Sequence, residues 1–335
     1  MAVGVKGHLG MGMETTWGTA VTTMDTYLPL VSESLNYNME TYVSNALRGL
    51  IDAPAPYQGM SSVGGDIVME VYPVSIGHIL RSAMDDASTV NTVVDHVYTH
   101  TFLPRQDDFA AACPLAPYTI EVYRDDSDDE AFQYDGAVVN TLNLSFGVSE
   151  QIVRATAGII AKELTTGIAK TTPDFETSDP FLWHQASVSL ASASNTTLEK
   201  FSLTLDNHLV SKPVMNGTLV PSLFYRSAAR SVELSMEVDF SSMTEYERFK
   251  ANTSTDLTIT LTGEVFYTSA VPTEYSYSLV ISIPSFKYTT YPINITGPGL
   301  IVSNVTGTAF YDETTEGSIE ITLVNDEATY VTPEE

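Results

Sequence analysis

Apolar and polar residues alternate with a period of two through most of this chain. In Val232-Glu233-Leu234-Ser235-Met236-Glu237-Val238-Asp239-Phe240 one side is wholly apolar and the other wholly polar, the pattern of a strand that buries one face and wets the other. The same alternation, built from Thr, Ser, Val, Ile and Tyr, predicts strands over Gly65 to Tyr72, Thr119 to Tyr123, Val138 to Phe146, Leu198 to Leu205, Leu257 to Phe266, Ser278 to Ile283 and Ile319 to Val324. Gly, Pro, Asn and Asp fall between them. Two short helices are predicted, Ser75 to Met84 and Thr244 to Asn252, each opening on a Ser or Thr read as its N-cap and each following a strong strand. The chain is expected to be all-β with a minor helical part.

The order of strand then helix occurs twice. Met69-Glu70-Val71 returns 167 residues later as Met236-Glu237-Val238, and Ser34-Leu35-Asn36-Tyr37-Asn38 is matched at a shift of 168 by Ser202-Leu203-Thr204-Leu205-Asp206-Asn207. Further on, the strand at Tyr118 resembles the one at Tyr277, and Tyr134-Asp135-Gly136 resembles Tyr291-Pro292-Ile293, each ahead of a hairpin. Any one of these matches has chance as its alternative. Together they divide the 335 residues into an N-terminal arm, 1–20, and two copies of one domain, 21–170 and 171–335. The boundary falls in the Thr-, Pro-, Asp- and Ser-rich stretch Thr165 to Pro180, and each part is long enough to bury a core.

Composition removes several function classes. The chain is 43% hydrophobic and only 17% charged, which argues for order. Its 42 acidic side chains against 15 Lys and Arg give a net charge of −27, with no locally basic window, so DNA and anionic membranes are repelled and direct nucleic-acid binding is not expected. A lone cysteine, Cys113, excludes an intrachain disulfide and reads as a small buried hydrophobe. Met1 to Gly18 lacks the apolar core of a signal peptide, and no eighteen consecutive residues are apolar, so the chain is expected to be made soluble in the cytoplasm of some cell, with no membrane partner.

No catalytic constellation stands out, and neither cofactor nor enzymatic activity is expected. The run Asp125-Asp126-Ser127-Asp128-Asp129-Glu130 invites a hard cation, yet Glu130 and Gly136 stand where a calcium loop needs its glycine and its final carboxylate, so it reads as a solvated hairpin tip. His96 and His100 have the spacing of zinc ligands on a helix, but Val93 to Phe102 reads as a strand, and no metal site is assigned. Gly7, Gly10 and Gly12 lack the flanking strand and helix of a phosphate loop and read as a flexible arm. Sequons at Asn143, Asn195, Asn216, Asn252, Asn294 and Asn304 read as products of a Thr- and Ser-rich composition.

A set of loose motifs gives the chain a family likeness. They are Gly12-Met13-Glu14-Thr15-Thr16-Trp17-Gly18-Thr19, Leu28-Pro29-Leu30-Val31-Ser32-Glu33-Ser34-Leu35, Leu47-Arg48-Gly49, Tyr57-Gln58-Gly59, Val63-Gly64-Gly65-Asp66-Ile67-Val68-Met69-Glu70, Ile76-Gly77-His78-Ile79-Leu80 and, in the second half, Phe201 to Asn207. In order and spacing they resemble the tail tube, or major tail, proteins of long-tailed phages and tailed archaeal viruses. The resemblance implies two tandem tail-tube-like β-sandwich or barrel domains, one helix each, whose inner sheets form a multi-chain β-barrel. Such rings stack into the virion's tail tube, which conducts viral DNA from capsid to host. Six domains per ring imply three of these chains, with pseudo-sixfold symmetry. The implied partners are the chain itself, other tail proteins at the tube ends, and DNA in transit without specific binding. The family's long hairpin, which reaches the neighbouring ring, maps onto Asn38 to Ser62 and onto His208 to Arg230. The first of these, with Pro54, Pro56 and Gly59, is expected to order only when rings stack.

Under that resemblance the acidity acquires a use, since an acidic lumen lets DNA slide where a basic one holds it. The polar faces of the paired strands supply the candidates for the lumen: Asp66 and Glu70 in the first copy, Glu233, Glu237 and Asp239 in the second. Outer solvent is the alternative for these faces. For the chain as a whole the alternatives are an acidic β-repeat surface or adhesin protein and a carbohydrate-active β-sandwich enzyme using two carboxylates.

Overall fold

The computed structural model describes residues 3–49, 51–93, 96–107, 112–270, 273–295 and 297–330. Each predicted strand has a counterpart, and the alternation reappears as burial except in Tyr118–Tyr123, which is buried on both faces. Along Ser231–Asp239, Val232, Leu234, Met236 and Val238 are buried and the intervening side chains are not. Several strands run longer than their alternation suggests, notably Tyr57–Glu70, Glu130–Gly147, Thr255–Thr268 and Glu274–Thr290.

The pairing follows one order in each half. Tyr57–Glu70 lies between Leu30–Glu33 with Asn36–Tyr42 on one side and Arg154–Ala161 on the other. Arg154–Ala161 pairs with the end of Glu130–Gly147, whose beginning pairs with Tyr118–Tyr123, which pairs in turn with His8–Met13. In the second half Ser231–Asp239 lies between Leu198–Asp206 and Val302–Ala309. Val302–Ala309 then pairs with the end of Glu274–Thr290, whose earlier part pairs with Thr255–Thr268, which pairs with Ala186–Leu190. Each long strand thus serves two layers of a sandwich, and a bulge where Gly158 gives way to Ile159 marks the bend in the first.

The halves are welded in both layers. The end of Glu130–Gly147 pairs with Leu198–Asp206, from Gly147 opposite Lys200 to Thr141 opposite Asp206, and Val97–Pro104 pairs with Glu320–Asn325. Buried apolar residues from both halves form one contiguous cluster. Asn207 is fully buried at the first weld, donating to Ala83 O and Val139 O while its Oδ1 accepts from Arg226 and Arg230. Every polar atom of that amide is therefore satisfied where an orphan would be costly.

Helix α1 (Ser75–Met84) sits inside the sandwich with every residue but Arg81 buried. Ile76, Ile79, Leu80 and Ala83 recur at helical spacing and face the core. Its cap corrects the sequence reading: Ser75 is the first helical residue, Val74 holds the N-cap position, and the capping carboxylate is Glu176, a hundred residues away. Val74 N donates to Glu176 Oε2 at 2.9 Å and Ser75 Oγ to Glu176 Oε1 at 2.9 Å. Helix α2 (Thr244–Ala251) likewise has Met243, not Thr244, as N-cap, and none of its residues is fully buried.

Other expectations are also corrected. The glycines of Met1 to Gly18 do not make a flexible arm, because His8–Met13 is an almost wholly buried strand. A Cβ on Gly12 would lie 2.5 Å from Thr23 O, so the glycine is there for close packing of the chain against itself. Val93 to Phe102 is not one strand: Asp85–Val93 and Val97–Pro104 form a hairpin that turns at His96, residues 94 and 95 lying outside the described ones. In pairing order Tyr118 belongs with Thr255–Thr268 rather than with Tyr277, and Tyr134 lies inside a strand while Tyr291 follows one. Two matches of the repeat are therefore out of place, although the order of strands recurs.

Several acids in this sandwich are held above the ordinary carboxylate range, chiefly by burial. They include Glu14, which accepts from Gly136 N, Gly18 N and Thr119 Oγ1, together with Asp25, Asp135 and Glu176. A raised folded-state pKa means that the native state takes up protons before the unfolded chain does. Its stability contribution is complete below the unfolded value of about 4 and is lost as pH rises through the folded value. Burial holds His78 down to about 4, which works in the opposite sense as pH falls, so the carboxyl contribution is read as a difference: the melting temperature of wild type relative to Glu14→Gln is expected to rise as pH is lowered from 7. Thermal melts of both proteins across pH check it, and a difference that does not change with pH would refute it.

Candidate functional surfaces

One sheet dominates the surface that the chain offers to others. Its eight strand positions run in order through Asn36–Tyr42 with Leu30–Glu33, Tyr57–Glu70, Arg154–Ala161, the end of Glu130–Gly147, Leu198–Asp206, Ser231–Asp239, Val302–Ala309 and the end of Glu274–Thr290. One face packs on the core through Ile67, Met69, Ala157, Leu144, Leu203 and Leu234. Residues opposite one another in antiparallel strands point to the same side, so the other face can be read row by row. Thr156, Asn143, Thr204, Glu233 and Thr308 make one row, and Glu70, Arg154, Ser145, Ser202, Ser235 and Thr306 the next.

All five candidate acids stand on this polar face, Asp66 and Glu233 exposed, and Glu70, Glu237 and Asp239 half-buried. The sequence reading missed their neighbours. Asp206 shares the face, Arg154 stands opposite Glu70, Lys200 opposite Glu237, and Lys287 opposite Thr308 beside Glu233. The named positions therefore carry six carboxylates and three cations, three negative charges of the chain's net −27. Most of the acidity lies elsewhere, and this face is chiefly Ser, Thr and Asn.

The sheet's edges are open. Among the described residues Asn36–Tyr42 pairs only with Tyr57–Glu70, and Lys287–Thr290 only with Val302–Ala309; the sheet does not close on itself. Unpaired edges are templates for another strand. Asn36–Tyr42 and Tyr57–Glu70 run on as a paired ribbon as far as Tyr42 opposite Tyr57, so both ends of the Asn38 to Ser62 loop are strand within one chain. The Asn38–Ser62 expectation missed this because Pro54 and Pro56 mark the tip and not the ribbon. The second hairpin, Leu209–Lys212 with Leu223–Arg226, packs on its own chain. Leu209 and Phe224 are buried with Leu115 and Val138 against Trp17, Cys113 and Ile160, Phe224 N donates to Ala112 O, and Ser61 N to Leu219 O.

Sites that suggested chemistry are occupied structurally. In the acidic run, Asp126 Oδ1 accepts from Asp128 N and Glu130 N, Asp125 from Val3 N and Lys6 Nζ, and Asp129 from Tyr123 and Lys170. His96 stacks on Tyr267, whereas His100 is buried between Thr89 and Asn325, so the two are not paired ligands. Among the described residues no group of three His, Cys, Asp or Glu is placed to hold a metal. Burial pushes the Cys113 thiol up to about 12, which leaves it unreactive at neutral pH. Asn143 donates to Ser202 Oγ, Leu203 O and Thr204 Oγ1 across the weld, so this sequon asparagine is a structural one. A cavity of about 300 Å³ beside α2 holds Asp239 and Glu245, but Tyr288 donates to Glu245 at 2.8 Å, and Asp239 lies at the end of the sheet face. No described helix is long and apolar enough to cross a membrane.

Comparison with known proteins gives one result that covers nearly the whole chain. The family model described as phage tail tube protein matches residues 4–309. No curated protein matches the sequence.

Proposed function

The chain belongs to the phage tail tube protein family, and from that premise we propose that it is a structural, non-catalytic virion protein whose rings stack into a tail tube that conducts viral DNA. The observation that carries this reading is the open eight-stranded sheet, apolar on its core side and polar on the other, with an unpaired strand at each edge. Three such sheets joined edge to edge exceed the strand number at which closed barrels leave an aqueous channel rather than a packed core. The recurrence of one strand order in both halves supports two domain copies per chain, hence three chains and six domains per ring. An edge-to-edge closure is heterologous, and closed rotational symmetry is its ordinary outcome.

In this arrangement the polar face, with Asp66, Glu70, Glu233, Glu237 and Asp239, lines the lumen. A duplex carries a negative charge about every 1.7 Å of its axis. A wall of Ser, Thr and Asn with two carboxylates for each cation offers it no place to bind, so the duplex slides. Native mass spectrometry of soluble assemblies tests the stoichiometry: the reading predicts a species of three chains and its multiples, and a closed species whose chain number is not divisible by three contradicts it.

The segment that joins the two strands of the ribbon is assigned to contact between rings. Leu47 and Ile51 on it are fully exposed. Deleting residues 45–54 is expected to leave folded rings that fail to stack, seen by electron microscopy as short stacks or single rings in place of tubes. Tubes of normal length from the deletion variant would remove the tip from that role.

A further inference from the structure

The weld inside one chain has a counterpart that is left open at its two ends. Within the chain the end of Glu130–Gly147 accepts Leu198–Asp206 as its neighbour, and the hairpin that continues from Leu198–Asp206 folds back across the weld. Leu209 and Phe224 of that hairpin thereby cover Val138 and Ile160. In the repeated strand order, Lys287–Thr290 stands where the end of Glu130–Gly147 stands, and Asn36–Tyr42 stands where Leu198–Asp206 stands. Both are edges. The hairpin continuing from Asn36–Tyr42 meets its own chain at Ser61, which donates to Leu219 O, but among the described residues its rings stay open: Tyr42 is 56% and Tyr57 57% exposed, with Tyr37 and Met39 exposed beside them. At the receiving edge Val302–Ala309 runs into Phe310 and Tyr311, 39% and 51% exposed.

We propose that the second-hairpin weld is the template for the contact between chains: the first hairpin of one copy folds across Phe310 and Tyr311 of the next as Asn36–Tyr42 pairs with Lys287–Thr290. The inference rests on the ring-forming reading and names its interface. Charge agrees with it. In a chain of net −27, contact between copies needs surfaces that carry little like charge. The hairpin base brings one carboxylate, Glu40, and the receiving edge presents Lys287, whose ammonium lies over the Phe310 ring at 5.9 Å from its centroid; of the two carboxylates that follow Tyr311, Asp312 is engaged by Ser285, Thr314 and Thr315 of its own chain, and Glu313 is the one like charge to be kept outside the contact. An aromatic cluster around a cation, buried when the ring closes, has the composition of an interface core. Covering the aromatics also explains why a soluble chain displays six large apolar side chains at two matching places.

The test uses the full chain carrying p-benzoylphenylalanine in place of Tyr57. Assembled material from a mixture of isotope-labelled and unlabelled chains is irradiated, and the adducts are mapped by mass spectrometry. The expected adduct joins residue 57 of one chain to the segment containing Phe310 and Tyr311 of another, and covalent products end at three chains. Adducts confined to another segment overturn the proposal. A second variant, Phe310→Ser with Tyr311→Ser, changes exposed side chains and is expected to keep the wild-type circular dichroism spectrum while losing rings. Rings at wild-type yield overturn the proposal as well. If wild-type chains form rings of three and residue 57 labels a different segment, the interface is wrong and the ring reading stands; if wild-type chains form no rings of three, the ring reading fails with it.

Discussion

Replacing Tyr330 by alanine is expected to cost the folded chain about 3–5 kcal/mol, the range for removing a large buried aromatic side chain. Tyr330 is 1% exposed and comes from the far end of the second half, yet it packs against α1 of the first. Its ring meets His78 edge-on with centroids 5.0 Å apart and His100 at 4.6 Å, and its hydroxyl donates to Val74 O at 2.7 Å. Asn325 donates to the same hydroxyl, so truncation also leaves a buried amide short of a partner. The groove exists because residue 77 is glycine: a Cβ there would lie 2.1 Å from the Tyr330 ring. Gly77→Ala is therefore expected to destabilise in the same direction by expelling the ring. Urea denaturation checks both. A Tyr330→Ala midpoint within error of wild type would mean that Tyr330 does not hold the second half to α1.

The second large effect is expected on DNA passage. The double change Glu70→Lys and Glu237→Lys adds cations opposite Arg154 and Lys200 on the polar sheet face. In the proposed ring of three chains this adds six lysines, at repeated heights along the proposed tube. Like charges facing each other across strands cost only about 0.2–1 kcal/mol per pair, so assembly is expected to survive. Binding to a duplex through 6–10 such contacts changes by about 10³–10⁵ between 50 and 200 mM salt. Ejection from virions carrying the variant is expected to slow steeply at the lower salt and to recover at the higher one. Equal rates for variant and wild type at both salts would remove these residues from the lumen.

What the sequence reveals here is what alternation reveals. Val232 to Phe240 declares a strand with one wet face, and the five candidate acids do share a face because each sits on the polar phase of such a strand. Which strand lies beside which is a different question. Arg154 and Lys200 stand opposite Glu70 and Glu237 through pairings that local pattern does not encode, so the cations that offset half of the carboxylates on the sheet could not be read from the run of residues. Asp85–Val93 escapes notice because its residues are polar and largely exposed, leaving no apolar phase to recognise. Gly10 and Gly12 suggest mobility by composition, whereas they are selected by close approach to Met24 and Thr23. Glu176 caps α1 across a hundred residues, which no search of the flanking positions finds. The repeat is legible where the core demands it, at Met69 and Met236, and misleads at Tyr118 and Tyr134, where tyrosines recur without occupying matching strands.

The central claim is that one chain supplies two domain copies to a ring of three, with the polar face of its eight-stranded sheet turned inward. Electron cryomicroscopy of assembled tubes measures this directly. The account predicts three chains per ring, pseudo-sixfold density, and the strands bearing Asp66, Glu70, Glu233, Glu237 and Asp239 around the channel. Six chains per ring, or a channel lined by any other surface of the chain, would contradict it.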